Sequence, residues 1–258
     1  MPTPDRPASS GTLANMTGKD LQLAARERLI VALDAPDATR ALELVDRLEG
    51  SCLWFKVGLE LFTATGPSFL EQLTKRGHWI FLDLKFHDIP NTVAGAVRSA
   101  ATLGARMMTV HALGGPSMLT AARETLAGLP NPPELLAVTV LTSMDAPQLK
   151  AIGVQDPPAR QVERLAQMGL EAGLRGFVCS PEEVGSLRAR TGPEGVLVIP
   201  GIRPAGAEMD DQKRVATPAE ALQQGASYLV VGRPITQALH PAEAADAILR
   251  DMTRALRG

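Results

Sequence analysis

Charged side chains are concentrated in one short stretch of the sequence, FLDLKFHDIPNT at residues 81–92. It places Asp83, Lys85, His87 and Asp88 within six positions, where an apolar run that resembles a buried strand comes to its end. Charged groups at such a place destabilise a fold unless they are paired or used. Asp83 and Lys85 are two residues apart, so on an extended strand they point to the same side. The stretch predicts a carboxylate–ammonium pair that performs chemistry or stabilises a strand end.

A lysine flanked by carboxylates is suited to proton donation. Nearby negative charge favours the protonated amine, so Lys85 is expected to be an ammonium group. An ammonium group is a poor Schiff-base nucleophile, but it donates protons and stabilises a developing carbanion. A carboxylate such as Asp83, placed beside a carboxylate of the substrate, would repel it and favour loss of CO2. The pair therefore favours proton transfer or decarboxylation over covalent catalysis.

Eight short apolar runs recur along the chain, and they are continuous rather than alternating, as is typical of strands buried on both faces. Segments with helical periodicity lie between them, such as residues 37–50 and 217–226. The second of these opens with a capping box, Thr217 and Glu220, around Pro218. Eight strand–helix units predict a single (β/α)8 TIM barrel, with a doubly wound open sheet as the alternative. The apolar runs are residues 28–34, 52–58, 79–85, 106–112, 135–142, 176–180, 196–202 and 228–235.

Nearly every one of these runs ends in a polar or charged residue. In a parallel barrel the carboxyl ends of the strands surround one mouth, where active sites are built. Asp34 and Lys56 are expected there beside Asp83 and Lys85, giving a cluster of alternating charge. One such pair could simply stabilise the barrel, whereas a converging cluster is more typical of a functional site. The residues at the eight ends are Asp34, Lys56, Asp83 with Lys85, His111, Thr142 with Ser143, Ser180, Arg203, and Gly232 with Arg233.

The last strand is followed by Gly232 and Arg233, at the position where barrels of this kind bind phosphate. Backbone N–H groups at Gly232 and the guanidinium of Arg233 would hold a phosphate, and Gln212 could add a donor. Gln212 lies in the long polar segment 203–216, which is either an active-site loop or only a long loop; long loops in compact domains are more often functional. The alternative is that Gly232 is a turn residue and Arg233 a surface charge. His111 stands alone at its strand end, and a lone histidine there is more often structural.

Composition excludes several classes of protein. The chain has 258 residues, 45% of them hydrophobic, and a net charge of −2, which gives no reason to expect nucleic acid or a membrane surface as partner. Two isolated cysteines, Cys52 and Cys179, make neither a metal motif nor a disulfide framework and fit a reducing cytoplasm. No apolar run approaches the roughly 20 residues that cross a bilayer. The sequence contains no metal-ligand spacing and no glycine-rich dinucleotide loop, so no metal and no cofactor is expected.

The first residues differ in composition from the rest of the chain. Residues 1–25 are rich in Pro, Ser, Thr and Gly and lack the apolar centre of a signal peptide. We expect them to form a loose tail, with a short helix at residues 20–28, in front of one catalytic barrel domain at residues 26–258.

Taken together, these motifs resemble the orotidine 5′-phosphate decarboxylase family. DLKFHDIPNT is the most specific piece, whereas PGIRP and VGRPI are weaker alone but come in the right order. The resemblance runs from about Leu29 to the end of the chain. The motifs that carry it are VALD (31–34), KVG (56–58), FLDLKFHDIPNT (81–92), VTVLTSM (138–144), PGIRP (200–204), DQKR (211–214) and VGRPIT (231–236).

The resemblance implies a homodimeric barrel that converts orotidine 5′-phosphate to uridine 5′-phosphate without metal or organic cofactor. Lys85 would protonate C6 of the pyrimidine as CO2 leaves, and Asp83 would lie beside the substrate carboxylate. Asp34 and Lys56 would hold the ribose hydroxyls, and Lys56 would also join the charged network. Asp88 and Thr92 would reach into the partner subunit's site. Thr142 and Ser143 would contact the pyrimidine ring. The phosphate would be bound by Arg203, Gln212, Gly232 and Arg233.

Two alternatives remain at this point. One is a magnesium-dependent sugar-phosphate decarboxylase or aldolase of the same barrel superfamily, which shares an Asp-x-Lys-x-x-Asp pattern. Such relatives hold the metal partly through a glutamate at the end of strand two, where this chain has Lys56. The other is a non-catalytic nucleotide-phosphate binder, which would have no reason to keep Lys85 between two aspartates.

Overall fold

The computed structural model describes residues 16–48, 50–204 and 214–257. Eight parallel strands close into a barrel in the order of the sequence, each paired with its neighbours and the last with the first. The predicted (β/α)8 barrel is confirmed, and the open-sheet alternative is wrong. The strands are β1 Leu29–Ala32, β2 Trp54–Gly58, β3 Trp79–Phe86, β4 Met107–His111, β5 Glu134–Val138, β6 Gly176–Val178, β7 Val196–Ile199 and β8 Tyr228–Val231.

Helices connect the strands and form the outer layer. None of the helices in the described part of the chain has the length and apolar character that crossing a bilayer requires. The helices are α1 Gly18–Arg26, α2 Ala38–Arg47, α3 Leu59–Thr65, α4 Pro67–Lys75, α5 Pro90–Ala101, α6 Gly115–Leu126, α7 Ala146–Ala151, α8 Pro158–Glu171, α9 Val184–Thr191, α10 Pro218–Gln223, α11 Arg233–Thr236 and α12 Pro241–Ala255, with 3-10 turns at Ala112–Gly114 and Pro181–Glu183.

The continuous apolar character of the strands comes from burial on both faces. Alternate residues point outward and pack under the helices in one large cluster, as Val31 and Phe55 do. The residues between them point inward and fill the barrel, as Trp54 and Phe81 do. Above this apolar layer, toward the carboxyl ends of the strands, the inward-facing residues become polar, as at Lys56 and Asp83.

Capping boxes mark the start of several helical segments. Thr217 accepts a hydrogen bond from the Glu220 backbone N–H, and the Glu220 carboxylate accepts one from the Thr217 N–H, which is the predicted capping box. Ser180 and Glu183 form a second box at the start of the turn that precedes α9. The long connection between β5 and β6, residues 143–175, contains the two helices α7 and α8.

The amino-terminal helix α1 begins and ends two residues earlier than expected, and it packs against the barrel's outer layer. Thr17 caps it, and its buried residues Leu21, Ala24 and Ala25 face the barrel side, where α1 packs against α12. Residues 18–25, which composition assigned to the loose tail, are therefore ordered by apolar contacts. Residues 1–15 lie outside the described part of the chain.

The loop after β7 is closed at its base. Ile202 pairs with Ala216 in an isolated parallel bridge, and the backbone N–H of Arg203 donates to the carbonyl of Ala216 over 3.0 Å. The two ends of the segment 203–216 are therefore held together at the barrel mouth. Residues 205–213 lie outside the described residues, and the prediction for Gln212 falls among them.

Candidate active site

A cavity of about 300 Å³ opens at the carboxyl ends of the strands. Its walls are apolar below, where Phe81, Val138 and Val230 contribute, and charged at the rim. Among the described residues that line it are four cations and two carboxylates, a net charge of +2, which suits an anionic ligand. The predicted site residues it brings together are Asp34, Lys56, Asp83, Lys85, Thr142, Ser143, Arg203, Gly232 and Arg233.

Four charged residues on or just after the first three strands form one chain of alternating charge. Lys56 Nζ lies 3.1 Å from Asp34 Oδ1 and 3.8 Å from Asp83 Oδ2, and Lys85 Nζ donates to Asp83 Oδ2 over 2.8 Å. The Lys56 and Asp83 side chains are almost buried, whereas 62% of the Asp34 side chain is exposed. Buried charges persist when each is paired and hydrogen-bonded. The arrangement therefore holds two carboxylates and two ammonium groups at the cavity wall.

The backbone at Lys85 is irregular, which the sequence did not indicate. Leu82 pairs with Met108, but the next pair along the ladder is Phe86 with Val110, so β3 contains two extra residues at this point. Lys85 has φ +49°, and it is the one non-glycine residue with a positive φ in the described ranges. A side chain in the left-handed region destabilises the chain by roughly 1–3 kcal/mol, and such strain is concentrated at functional sites. Asp83 and Lys85 share one side through this bulge rather than through regular strand geometry.

Two residues that sequence reasoning missed support the cluster. Thr109 is fully buried on β4, donates its hydroxyl to Asp83 Oδ1 over 3.0 Å and accepts the Lys85 backbone N–H over 2.8 Å. A Cβ atom at Gly58 would come within 2.9 Å of Lys56 Nζ, so a larger residue there would displace this ammonium group. The signal for Thr109 was its polar side chain two residues before the strand-end His111. No sequence signal reveals the contact at Gly58.

A buried ion pair lies beside the cavity. Arg214 Nη1 donates to the carboxylate of Glu183, and its Nη2 donates to the carbonyl of Leu141 over 3.1 Å. Glu183 also accepts hydrogen bonds from the backbone N–H and the hydroxyl of Ser180. Ser180, which its strand-end position placed at the mouth, is fully buried and committed to this network. The network anchors the residues just before Thr142.

Two of the predicted residues that the structure describes, Asp88 and Thr92, are not in the cavity lining. Asp88 and Thr92 are exposed at the start of α5, so the single chain gives them no contact with the cavity, and Gln212 is not described. Cys179 does line the cavity, but burial raises the pKa of its thiol far above the ordinary value. A protonated thiol is a poor nucleophile, so cysteine chemistry is not supported at this site.

His111 has a structural role at the end of β4. Its Nδ1 accepts the backbone N–H of Leu113 over 3.3 Å, and its ring stacks on His87 with 5.5 Å between ring centres. Burial, and then the neighbouring His87 and Lys85, lower the pKa of His111 to about 4. The imidazole is therefore neutral at pH 7 and caps the turn as an acceptor.

This shift predicts a loss of stability in acid. Because the pKa of His111 falls from 6.5 in the unfolded chain to about 4 in the folded one, the unfolded chain takes up the proton first. The free energy of unfolding is expected to decrease as pH falls from about 6.5 to about 4, and this group adds no further loss below that range. Urea titrations at fixed protein concentration should show a shallower pH dependence in His111→Asn, whose amide oxygen can keep the cap. An unchanged pH dependence in the variant would contradict the assignment.

A second cavity, of about 530 Å³, lies at the opposite end of the barrel. It is lined by residues at the amino ends of strands, among them Trp54, Trp79, Arg106 and Tyr228. The Arg106 guanidinium covers the Trp79 ring at 4.3 Å. In barrels of this kind the amino ends of the strands contribute to stability, whereas active sites lie at the carboxyl ends, where this chain has its cluster of alternating charge.

The fold and the cluster define a (β/α)8-barrel enzyme with its acid–base groups at the carboxyl mouth. The chain belongs to the orotidine 5′-phosphate decarboxylase/HUMPS family, whose model matches residues 27–248. It is 51% identical over 238 residues to the orotidine 5′-phosphate decarboxylase of Moorella thermoacetica, covering 90% of this chain and 94% of the relative. It is 54% identical over 223 residues to that of Nitrosococcus oceani, covering 86% and 96%. A crystal structure of orotidine 5′-phosphate decarboxylase from Lactobacillus acidophilus matches with a TM-score of 0.76 and 40% identity, over 87% of this chain and 98% of that one.

Proposed function

We propose that the protein decarboxylates orotidine 5′-phosphate to uridine 5′-phosphate and CO2, the last step in the formation of UMP, in the cytoplasm. The observation that carries the proposal is the Asp34–Lys56–Asp83–Lys85 chain of alternating charges at the wall of the cavity. The relatives from Moorella thermoacetica and Nitrosococcus oceani, which are about half identical and are named for this reaction, support it. The buried free thiols Cys52 and Cys179 fit the compartment.

Binding would use the charges around the rim. Arg233, at the start of α11, and Arg203, at the base of the loop, are the two guanidinium groups of the lining, and they suit a phosphate. Asp34 and Lys56 offer an acceptor and a donor at 3.1 Å from one another, which suits a pair of ribose hydroxyls. Thr142 and Ser143 offer hydroxyls on the other side of the cavity for the polar edge of the pyrimidine.

The chemical step would take place between Asp83 and Lys85. With the substrate carboxylate against Asp83, the bond from C6 to the carboxylate carbon breaks, CO2 leaves, and the electron pair stays on C6. The Lys85 ammonium stabilises this pair and then gives C6 a proton, which forms uridine 5′-phosphate. The Lys85 amine recovers its proton from solvent. Lys56, held 3.8 Å from Asp83, keeps a second positive charge near the carboxylates throughout.

The proton transfer gives the proposal its test. When orotidine 5′-phosphate labelled with ¹³C in its carboxylate is incubated with the protein in D2O, the label should leave as ¹³CO2. The uridine 5′-phosphate should carry one deuterium, bound to C6, which proton NMR detects as loss of the C6–H signal. If the nucleotide is recovered unchanged, the proposed reaction is wrong. If UMP forms without deuterium at C6, the proposed proton donor is wrong.

The proposal includes a homodimer in which each subunit completes its partner's site. Asp88 and Thr92 are exposed, and Ile89 between them has 66% of its surface open, unusual for so large an apolar side chain. These residues directly follow the strand that carries Asp83 and Lys85. A partner subunit that covers this surface would receive Asp88 and Thr92 in its own cavity.

Mixing two inactive variants tests the shared site. Lys85→Ala and Asp88→Asn are each expected to be nearly inactive alone. In a heterodimer formed by unfolding and refolding an equal mixture, one site carries both defects and the other carries neither. Random pairing should therefore restore about a quarter of the wild-type activity. Recovery of no activity, or full activity in a proven monomer, would contradict the shared site.

The magnesium-dependent alternative is disfavoured by Lys56. A metal bound by Asp34 and Asp83 would need the place that the Lys56 ammonium holds between these carboxylates. Two positive charges this close repel strongly. The second alternative, a nucleotide-phosphate binder without catalytic activity, does not account for the pairing of Lys85 with Asp83.

A further inference from the structure

The Thr109 hydroxyl lies at the centre of the charged cluster without facing the substrate cavity. It is fully buried, and it donates to Asp83 Oδ1 over 3.0 Å while it accepts from the Lys85 backbone N–H over 2.8 Å. We propose that Thr109 is a positioning residue that sets the orientation of both the Asp83 carboxylate and the Lys85 backbone for the reaction. The inference rests on the proposed function.

The hydrogen-bond roles in this arrangement are fixed by chemistry. A threonine hydroxyl has one proton to donate and lone pairs to accept. The Lys85 N–H can only donate, so the hydroxyl accepts there and gives its own proton to Asp83. One side chain therefore connects the two groups that the reaction uses, and it does so from the neighbouring strand.

The hydrogen bond from Thr109 gives the two carboxylate oxygens of Asp83 different partners. Oδ1 is engaged by Thr109, whereas Oδ2 faces Lys85 Nζ at 2.8 Å and Lys56 Nζ at 3.8 Å. Without the hydroxyl, the carboxylate could rotate about its Cβ–Cγ bond, a torsion with a broad energy minimum. Both ammonium groups would then lose a fixed acceptor.

The contact to Lys85 holds an unfavourable backbone conformation. The chain leaves the regular β3–β4 ladder between Leu82 and Phe86, and Lys85 adopts φ +49° within this bulge. A conformation of this kind persists only where the surroundings fix it. The hydroxyl of Thr109 supplies a side-chain acceptor at the irregular position, so it helps to aim the Lys85 side chain into the cavity.

The test compares Thr109→Val, which removes the hydroxyl at constant shape, with Thr109→Ser, which keeps it. A displaced catalytic group lowers turnover, so kcat in Thr109→Val should fall by roughly 10- to 100-fold. KM and the affinity for uridine 5′-phosphate should stay within about threefold, because the phosphate and ribose contacts remain. Thr109→Ser should stay within about threefold of wild-type kcat. Thr253→Val is the control, since Thr253 is a buried threonine that donates to the Leu249 carbonyl far from the cavity.

A second readout does not depend on turnover. Hydrogen exchange followed by NMR should show a protected Lys85 amide in wild type and Thr109→Ser, and faster exchange in Thr109→Val. If wild type is active but Thr109→Val keeps its kcat, or Thr109→Ser is as slow as Thr109→Val, the positioning role is wrong. If wild type itself does not decarboxylate the substrate, the proposed function has failed, and a role of Thr109 in that reaction fails with it.

Discussion

Lys85→Ala is expected to lower kcat by about 10⁴-fold or more. The substitution removes a general acid, which contributes about 10²–10⁴-fold, together with the positive charge beside the forming carbanion, which contributes about 10²–10³-fold. It also leaves Asp83 without the ammonium now 2.8 Å away, and that carboxylate would disfavour negative charge on C6. The folded structure should survive, because the Lys85 side chain is still 30% exposed.

Chromatographic analysis of the nucleotides after long incubation measures a loss of this size. Lys85→Arg serves as a companion variant that keeps the charge but replaces the compact ammonium by a planar group that does not release its proton. It should also be nearly inactive. Lys75→Ala is the matched control, since Lys75 is an exposed lysine on α4 that pairs with Glu71. A loss of less than about tenfold in Lys85→Ala would show that Lys85 is not the proton donor.

Arg233→Ala is expected to lower kcat/KM by about 10²-fold or more, although Arg233 lies with the phosphate and not with the reacting carbon. A decarboxylation of this kind needs an acceleration near the top of the enzymatic range, roughly 10¹⁷-fold or about 23 kcal/mol. No single hydrogen bond supplies that, so binding energy from the remote phosphate must stabilise the transition state. Arg233 begins α11 at the cavity mouth, where a guanidinium can hold a phosphate.

A substrate without phosphate separates this explanation from a general defect. Orotidine should react slowly with wild type and equally slowly with Arg233→Ala, because the lost contact is one that the nucleoside never makes. Arg40→Ala is the control, since Arg40 is an exposed arginine that pairs with Glu43 on α2. A loss below about tenfold with orotidine 5′-phosphate, or an equal loss with the nucleoside, would contradict the use of remote binding energy.

The barrel could be predicted because its signals are local. Strands buried on both faces read as continuous apolar runs, and the capping boxes at Thr217 and Ser180 mark where helical segments begin. The position of the site followed from one further rule, that parallel strands present their carboxyl ends at one mouth. Asp34, Lys56, Asp83 and Lys85 come from three strands, and the barrel closes them into one chain of charges.

The remaining features depend on contacts between distant parts of the chain. The role of Thr109 requires the register between β3 and β4 and the bulge that places Lys85 at φ +49°, neither of which a pattern of residue types encodes. The close approach of position 58 to the ammonium group arises only once the Lys56 side chain is in place. Residues 18–25 were assigned to the tail, although a helix was expected from residue 20, because the short apolar face of α1 becomes significant only against α12.

The absorbance of orotidine 5′-phosphate mixed with the purified protein in excess EDTA distinguishes a metal-free decarboxylase from a magnesium-dependent enzyme. We expect a rapid spectral change to that of uridine 5′-phosphate with wild type, and none with Lys85→Ala on the same time scale. No change with wild type in EDTA, together with turnover of a sugar phosphate once magnesium is restored, would contradict this expectation. The cluster around Lys56 would then have to be interpreted as part of a metal-dependent site.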